Sequence, residues 1–332
     1  MLEHGGRLLE AIQHYGIPAR DWLDLSTGIN PHPYTPPELP LMAWHRLPED
    51  NDGLEAAAAA YYGTDMLLPT CGSQAAIQAL PRIFAAQHGV CEVACLAPIY
   101  NEHPAAWRAA GHAVHLCASL DEAIEAARIV VLCNPNNPDG RLVERTVLLA
   151  ASARLAGRGG WLLVDEAFID AHAEDSVTEA AGRVDNLIVL RSLGKFFGLA
   201  GARVGFLCGA PALLDSVRTE LGPWPIAHPA RIVAIAALRD RAWQRQALGE
   251  LHHASFRLAE TLTPLGENSG TALFRYLPCP DASTATALHV FLARRGILTR
   301  LFTQPAALRF GLPATADDWH RLDSALKEWI AA

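Results

Sequence analysis

Between about residues 65 and 210, short and continuously apolar runs alternate with alanine-rich stretches of helical spacing. The apolar runs occupy residues 92–97, 127–133, 160–167, 186–192 and 202–208. Continuously apolar strands joined by helices are typical of a mostly parallel sheet that helices cover on both faces. We therefore expect an α/β fold, in which ligands bind beyond the carboxyl ends of the strands.

Polar side chains follow three of these predicted strands where each one ends. The run 127–133 is followed by "NPNNPDG" (134–140). The run 160–167 carries Asp165 near its end, and the run 186–192 leads into Ser192 and Lys195. An amide, a carboxylate and an amine are therefore expected at one edge of the sheet. The neutral lysine amine is a nucleophile that forms Schiff bases. Lys195 could instead lie along apolar surface with its ammonium in water, but the convergence of three strand ends favours the chemical interpretation.

The pattern predicts three segments. Residues 1–30 form an N-terminal arm that joins the small domain and the active site, residues 31–215 a large domain, and residues 216–332 a small one. After about residue 212, long helical segments precede two or three strands and a closing helix. This order predicts a smaller α+β domain at the C-terminus.

Charge, cysteines and histidines argue against several classes of protein. The formal net charge of −8 and the pI near 5.9 give no basic footprint for nucleic acid. The seven cysteines form no CxxC pair, which suits buried thiols in a reducing compartment. The fourteen histidines form no HExxH pattern, so no metal is expected.

The start of the chain and its hydropathy predict a soluble cytoplasmic protein. "MLEHGGRLLEAI" lacks a basic region followed by a continuous apolar stretch, so it does not resemble a secretory signal. No segment reaches the roughly 18 uninterrupted apolar residues of a membrane span. We expect no membrane partner.

A lysine that forms a Schiff base is useful where a bound group absorbs electrons, and pyridoxal phosphate is the usual group. Its ring nitrogen calls for a buried carboxylate, which Asp165 can supply, and its ring oxygen for a donor, which Asn137 can supply. Its phosphate calls for a helix N-terminus, small residues and a cation.

Other residues of the sequence meet these remaining demands. "LPTCGSQAAIQAL" places Gly72 and Ser73 at the start of a predicted helix, and Ser192 and Arg203 can add a hydroxyl and a guanidinium. Tyr100, which follows a strand, can lie over the ring. Each feature has an ordinary alternative, such as a helix cap, a turn, a core tyrosine or a structural ion pair. Their joint occurrence at successive strand ends favours the cofactor.

Four motifs together carry a family resemblance: "NPNNPDG" (134–140), "DEAF" (165–168), "SLGK" (192–195) and "GARVG" (201–205). They resemble the motif set of the fold-type I pyridoxal-phosphate enzymes, the aspartate-aminotransferase-like group. The resemblance covers nearly the whole chain. It implies a large cofactor-binding domain with a small domain, and a homodimer with the active site at the subunit boundary.

Within that group the chain is similar to histidinol-phosphate aminotransferases, and closer still to a branch that decarboxylates a phosphorylated amino acid. The closer similarity rests on "HGG" (4–6), "LDLSTGINP" (23–31), "DEAFID" (165–170), "RSLGKFFGLAGARVGF" (191–206) and "GPWPI" (222–226). It implies a carboxy-lyase. An aminotransferase of a phosphorylated amino compound and a non-catalytic binding protein on the same fold stay open.

The resemblance also implies a role for each matched residue. Lys195 would form the Schiff base, Asp165 would pair with the pyridinium nitrogen, Asn137 would reach the ring oxygen, and Tyr100 would stack on the ring. The residues that would hold the cofactor phosphate are Gly72, Ser73, Ser192 and Arg203. The residues that would bind the substrate are His4, Gly28, Asn30, Arg300 and Arg309.

Two departures from the family pattern bear on the reaction. Many aminotransferases carry tyrosine where Phe168 stands, and phenylalanine cannot donate a hydrogen bond to the ring oxygen. Histidinol-phosphate aminotransferases usually carry a Tyr-Pro pair where this chain has Leu47-Pro48, so the bond that this tyrosine makes to the neighbouring subunit's cofactor is not expected. Both departures favour decarboxylation over transamination.

Overall fold

The computed structural model describes residues 5–332 and divides into two compact units. Unit 1 comprises the chain up to His32, Pro138–Arg141 and Arg245–Ala332, and unit 2 comprises Pro33–Asn137 and Leu142–Gln244. Apart from the short stretch 138–141, the compact units change at 32/33 and 244/245, whereas the predicted segments change at 30/31 and 215/216. The predicted segments stay predictions.

The helices and strands follow the predicted order closely. The helices are α1 (Leu8–Tyr15), α2 (Met42–His45), α3 (Leu54–Tyr62), α4 (Gly72–His88), α5 (Glu102–Ala109), α6 (Leu120–Ala126), α7 (Arg145–Ala156), α8 (Pro211–Leu221), α9 (His228–Arg239), α10 (Arg241–Leu262), α11 (Ala282–Ala293) and α12 (Ala316–Ala331). The strands are β1 (Leu23–Asp24), β2 (Leu67–Thr70), β3 (Glu92–Leu96), β4 (Ala113–Cys117), β5 (Ile129–Cys133), β6 (Trp161–Asp165), β7 (Leu187–Ser192), β8 (Gly205–Cys208), β9 (Ser269–Thr271), β10 (Phe274–Pro278), β11 (Ile297–Leu298), β12 (Arg300–Thr303) and β13 (Ala306–Gly311).

Unit 2 is built on a seven-stranded sheet of order β2-β8-β7-β6-β5-β3-β4. Only β8 runs against its neighbours, so the other six strands point the same way. The predicted α/β fold with a mostly parallel sheet is confirmed. The apolar runs did not reveal β2 or β4. Strand β4 lies at the edge with His115 and Leu116 exposed, so it has no continuous apolar stretch.

Helices cover both faces of this sheet because successive strand residues are buried on opposite sides. On one side, α4, α5 and α8 form a core with alternate strand residues such as Val131 and Leu163. The intervening residues, such as Val130 and Leu162, are equally buried, and helices α6 and α7 pack along these strands.

Unit 1 contains a four-stranded antiparallel sheet of order β12-β13-β10-β9 and a parallel pair, β1 with β11. The predicted C-terminal strands and closing helix are present. Helix α12 begins with a capping box in which Thr315 and Asp318 satisfy each other's backbone N–H groups. Within the described residues, no helix is both long and apolar enough to cross a membrane.

Candidate active site

The predicted catalytic residues of unit 2 lie at one edge of the sheet, where the codirectional strands end. Asp165 is the last residue of β6, Asn137 lies four residues beyond β5, and Tyr100 lies four beyond β3. The backbone N–H groups of Tyr100 and Asn137 both act on the Cys133 thiol, where they favour the thiolate and lower its pKa against the effect of burial. That sulfur in turn lies within 4.8 Å of a carboxylate oxygen of Asp165. The structure therefore brings these three predicted residues together.

Asp165 is buried and has a partner that the sequence did not reveal. Its side chain is 6% exposed, and its Oδ2 lies 2.9 Å from Nε2 of His103, whose side chain is 1% exposed. The backbone N–H of Ala167 donates to its Oδ1 at 3.1 Å. His103 lies in the first turn of α5, three residues after Tyr100, and a single histidine among fourteen gives no pattern that could single it out.

Lys195 lies in the loop that follows β7. Its Nζ is 5.3 Å from the ring centroid of Phe168, the residue three positions after Asp165 on the neighbouring strand end. The backbone N–H of Gly194 donates to Ser192 Oγ at 3.2 Å, which closes the turn before the lysine. The chain has only two lysines, the other being the exposed Lys327, among 27 Lys and Arg residues. Since arginine stays protonated, the lysine at this loop offers a nucleophile that arginine cannot replace.

Tyr100 offers an uncharged ring at this edge. Its hydroxyl lies 3.5 Å from Gln74 Oε1, and burial, followed by the negative charge of Glu102, raises its pKa to about 12. The phenol is therefore neutral at physiological pH.

The N-terminus of α4 forms a close-packed anion cradle. Gly72 has a φ of +68°, and a Cβ at this position would lie 2.6 Å from Nη2 of Arg203. A Cβ at Gly205 would lie 2.5 Å from the backbone nitrogen of Ser73. Because glycine has no side chain, the Arg203 guanidinium and strand β8 can lie close to the N–H groups at the start of α4, a helix of 17 residues. This arrangement fits a phosphate group.

The donor atoms of His103, Cys133 and Asp165 lie within 4.8 Å of one another, the spacing of a possible metal site. Burial, and after it the charge of Asp165, raises the pKa of the Cys133 thiol well above its ordinary value. A cysteine binds a metal as the thiolate, and here the neutral thiol is favoured. His103 Nε2 is also engaged with Asp165. A raised thiol pKa and an engaged histidine weaken this set as metal ligands, and the expectation that no metal is bound stays a prediction.

A buried ion cluster, formed by Arg191, Glu166 and Asp170, lies directly behind this edge. Arg191 donates to Glu166 Oε2 at 3.0 Å and to Asp170 Oδ1 at 2.7 Å. Glu166 also accepts hydrogen bonds from the hydroxyls of Ser176 and Thr178, each at 2.6 Å. Glu166 adjoins Asp165 in the chain, and Arg191 adjoins Ser192, so the cluster ties together the two strand ends that carry the site.

The predicted substrate residues belong to unit 1. Arg309, in β13, is 6% exposed and donates from Nη2 to the Ser26 carbonyl at 3.1 Å. Gly28 is buried, and Asn30, 3% exposed, accepts a hydrogen bond from a backbone N–H. Arg300 is paired with Arg309 across the β12–β13 ladder. The prediction for His4 lies outside the described residues.

Comparison with known proteins identifies the family. Residues 47–318 match the model of the family "Aminotransferase class I and II", so the chain belongs to that family. It is 53% identical over 330 residues to a threonine-phosphate decarboxylase of Pseudomonas aeruginosa, covering 98% of this chain and 97% of the relative. A second threonine-phosphate decarboxylase, from a Sinorhizobium species, is 42% identical over 329 residues, with 97% of each chain covered.

A solved structure supports the architecture. The fold is similar to that of a histidinol-phosphate aminotransferase from Sinorhizobium meliloti in complex with pyridoxal-5'-phosphate, with a TM-score of 0.81 and 21% identity, covering 100% of this chain and 98% of the other. The predicted fold-type I architecture and the family resemblance are confirmed.

Proposed function

We propose that this protein is a pyridoxal-phosphate-dependent carboxy-lyase that converts L-threonine O-3-phosphate into (R)-1-amino-2-propanol O-2-phosphate and carbon dioxide in cobalamin biosynthesis. The similarity to the decarboxylase of Pseudomonas aeruginosa, 53% over nearly the full length, carries the choice of substrate and reaction. The chemistry at the sheet edge of unit 2 supports the choice of cofactor.

Unit 2 carries the residues that would hold the cofactor. Asp165, buried beside His103, would pair with the ring nitrogen, and Asn137 would donate to the ring oxygen, to which Phe168 cannot donate. The residues that would hold the phosphate are Gly72, Ser73, Ser192 and Arg203. When bound, this group supplies an electron sink that stabilises negative charge developing at the substrate Cα.

Lys195 has two tasks in this proposal. Its amine would bind the cofactor aldehyde until substrate replaces it, and its ammonium would donate a proton to Cα after carbon dioxide has left. The Phe168 ring, whose centroid lies 5.3 Å from Nζ, borders the amine on one side with an apolar surface. Tyr100, a neutral phenol held at the same edge, would lie against the ring without adding charge.

Unit 1 carries the residues that would bind the substrate. The planar guanidinium of Arg309 suits a carboxylate because it can donate two parallel hydrogen bonds. The hydrogen bond to Ser26 and the burial of Arg309 fix the direction of its side chain. Gly28 and Asn30 would complete the carboxylate site, and Arg300, together with His4, would bind the phosphate.

A homodimer and a cytoplasmic location are further parts of this proposal. Leu41, Trp44 and Leu47 are 82%, 68% and 61% exposed in the single chain. With Met42, which is 52% exposed, four exposed apolar side chains lie within seven residues, and this favours burial against a second copy. Light scattering after size-exclusion chromatography tests this point, with twice the mass of the chain expected.

Product analysis tests the reaction. With threonine phosphate and no 2-oxo acid, the holoenzyme should release carbon dioxide and form aminopropanol phosphate in equal amounts. An aminotransferase would instead turn over only when 2-oxoglutarate is added, with histidinol phosphate as the parallel substrate. A non-catalytic protein would show neither reaction, and borohydride would attach no cofactor to Lys195. Either result would overturn the proposal.

A further inference from the structure

Unit 1 contains a cavity of about 280 Å³ whose wall carries two arginines and two histidines. Arg7 directly precedes helix α1, and the helix itself contributes Glu10 and His14. Helix α11 contributes His289, and β12 contributes Arg300. Glu10, the one carboxylate among these groups, lies 3.2 Å from Arg7 and offsets its charge. Arg300 therefore gives the cavity a positive character, to which protonation of His289 would add, and this favours an anion.

His289 is oriented for a ligand. Its Nδ1 lies 2.9 Å from Oγ1 of Thr299, a residue only 2% exposed, so the threonine fixes the plane of the ring. Within residues 5–332, Nε2 of His289 makes no hydrogen bond, and the side chain lines the cavity. A ring held at one nitrogen can present an N–H at the other to an oxygen in the cavity.

We propose that His289 is a further ligand of the substrate phosphate, acting beside Arg300, and that it makes the affinity for phosphorylated substrate depend on pH. This inference rests on the proposed function, because it takes the phosphorylated amino acid as the occupant of the cavity. The cavity has room for a phosphoryl group together with several waters, each of which fills about 30 Å³.

The electrostatic setting explains the pH dependence. Burial, and after it the positive charge of Arg300, lowers the pKa of His289. A bound dianion would offset the charge of Arg300 and favour the imidazolium, so phosphate binding and protonation of His289 promote each other. The other titratable groups that line the cavity are Arg7, just before α1, and Glu10, His14 and Tyr15 within α1.

The test compares His289→Gln with wild type in kcat and KM for threonine phosphate from pH 5.5 to 9. The matched control is His253→Gln, because His253 is an exposed histidine of unit 1. The ratio of KM values, variant over wild type, cancels the ionisation of the substrate phosphate. We expect this ratio to be roughly 10 at the acid end and to fall toward 1 as pH rises, with kcat unchanged.

A ratio near 1 at every pH, or a loss confined to kcat, overturns the proposal. Should His289→Gln not fold, Thr299→Val answers the same question, since the ring then loses the hydroxyl that fixes its plane. A rise in KM at the acid end supports the proposal, and an unchanged KM overturns it.

Failure of the proposed function can be told apart from failure of this inference. If the wild-type holoenzyme releases no carbon dioxide from threonine phosphate, the proposed function fails. Calorimetric titration with inorganic phosphate then tests the cavity alone. Affinity that is weaker in His289→Gln and kept in His253→Gln supports the phosphate site, and equal affinity in both overturns it.

Discussion

His103 in unit 2 and His289 in unit 1 are the same side chain in opposite electrostatic settings. His103 lies 2.9 Å from the buried carboxylate of Asp165, whereas His289 lines a cavity with Arg300 and has its pKa lowered by burial and by that arginine. The negative setting suits the protonated ring nitrogen of a cofactor, and the positive setting suits a phosphate. The sign of the nearest fixed charge, rather than the histidine itself, indicates which ligand group each region can hold.

The largest expected effect is the loss of activity when the amine of the sheet edge in unit 2 is removed. Lys195→Ala should lower kcat by roughly 10⁴-fold or more, because no other side chain of the sheet edge provides an amine. The measurement is the rate of carbon dioxide release. Lys327→Ala is the matched control, because Lys327 is exposed and is the other lysine of the chain. After borohydride treatment, a cofactor found on Lys327 rather than on Lys195 would contradict the assignment.

The second effect concerns the buried ion cluster that lies next to Asp165. Glu166→Gln removes the charge that pairs with Arg191 inside the buried ion cluster, and breaking a buried pair costs about 3–5 kcal/mol of unfolding free energy. Glu55→Gln is the control, because Glu55 is half-exposed where it pairs with Arg231, and should cost about 1 kcal/mol or less. Urea unfolding measures both. Equal losses would show that the cluster contributes no more than a surface pair.

A third, smaller effect tests the carboxylate itself. Asp165→Asn keeps the shape of the side chain but removes its charge, and we expect kcat to fall at least about 100-fold while the fold is kept. Circular dichroism checks the fold, and Asp185→Asn, at an exposed position of unit 2, is the control. An activity within twofold of wild type would mean that the negative charge beside His103 has no catalytic use.

The smallest effect is the change in folding stability with pH that His289 contributes. The pKa of His289 is lowered in the folded protein, below the value near 6.5 expected for the unfolded chain. The unfolded chain therefore binds more protons, so the contribution to stability is complete above about pH 6.5 and is lost as pH falls. His289→Gln should lose less stability than wild type between pH 7 and pH 5.5 in urea unfolding, with His253→Gln as control. Identical pH dependence would contradict the lowered pKa.

Much of the cofactor region could be predicted because its residues mark the ends of apolar strands. Asp165, Ser192 and Lys195 follow continuously apolar runs, and parallel strands bring such ends to one edge whatever the details of packing. Strand β8 is apolar in the same way, yet it runs antiparallel to its neighbours. The sequence did not reveal this direction, because an apolar run looks the same in a parallel and in an antiparallel strand.

The partners of these residues could not be predicted, because they come from distant parts of the chain. His103 meets Asp165 across 62 positions, and Arg191 meets Glu166 across 25. The sequence by itself determined the order of the strands along the chain, the amine at position 195 and the carboxylate at position 165. Only the tertiary structure decided which charge lies beside each histidine, because electrostatic environment depends on distance in space rather than on separation along the chain.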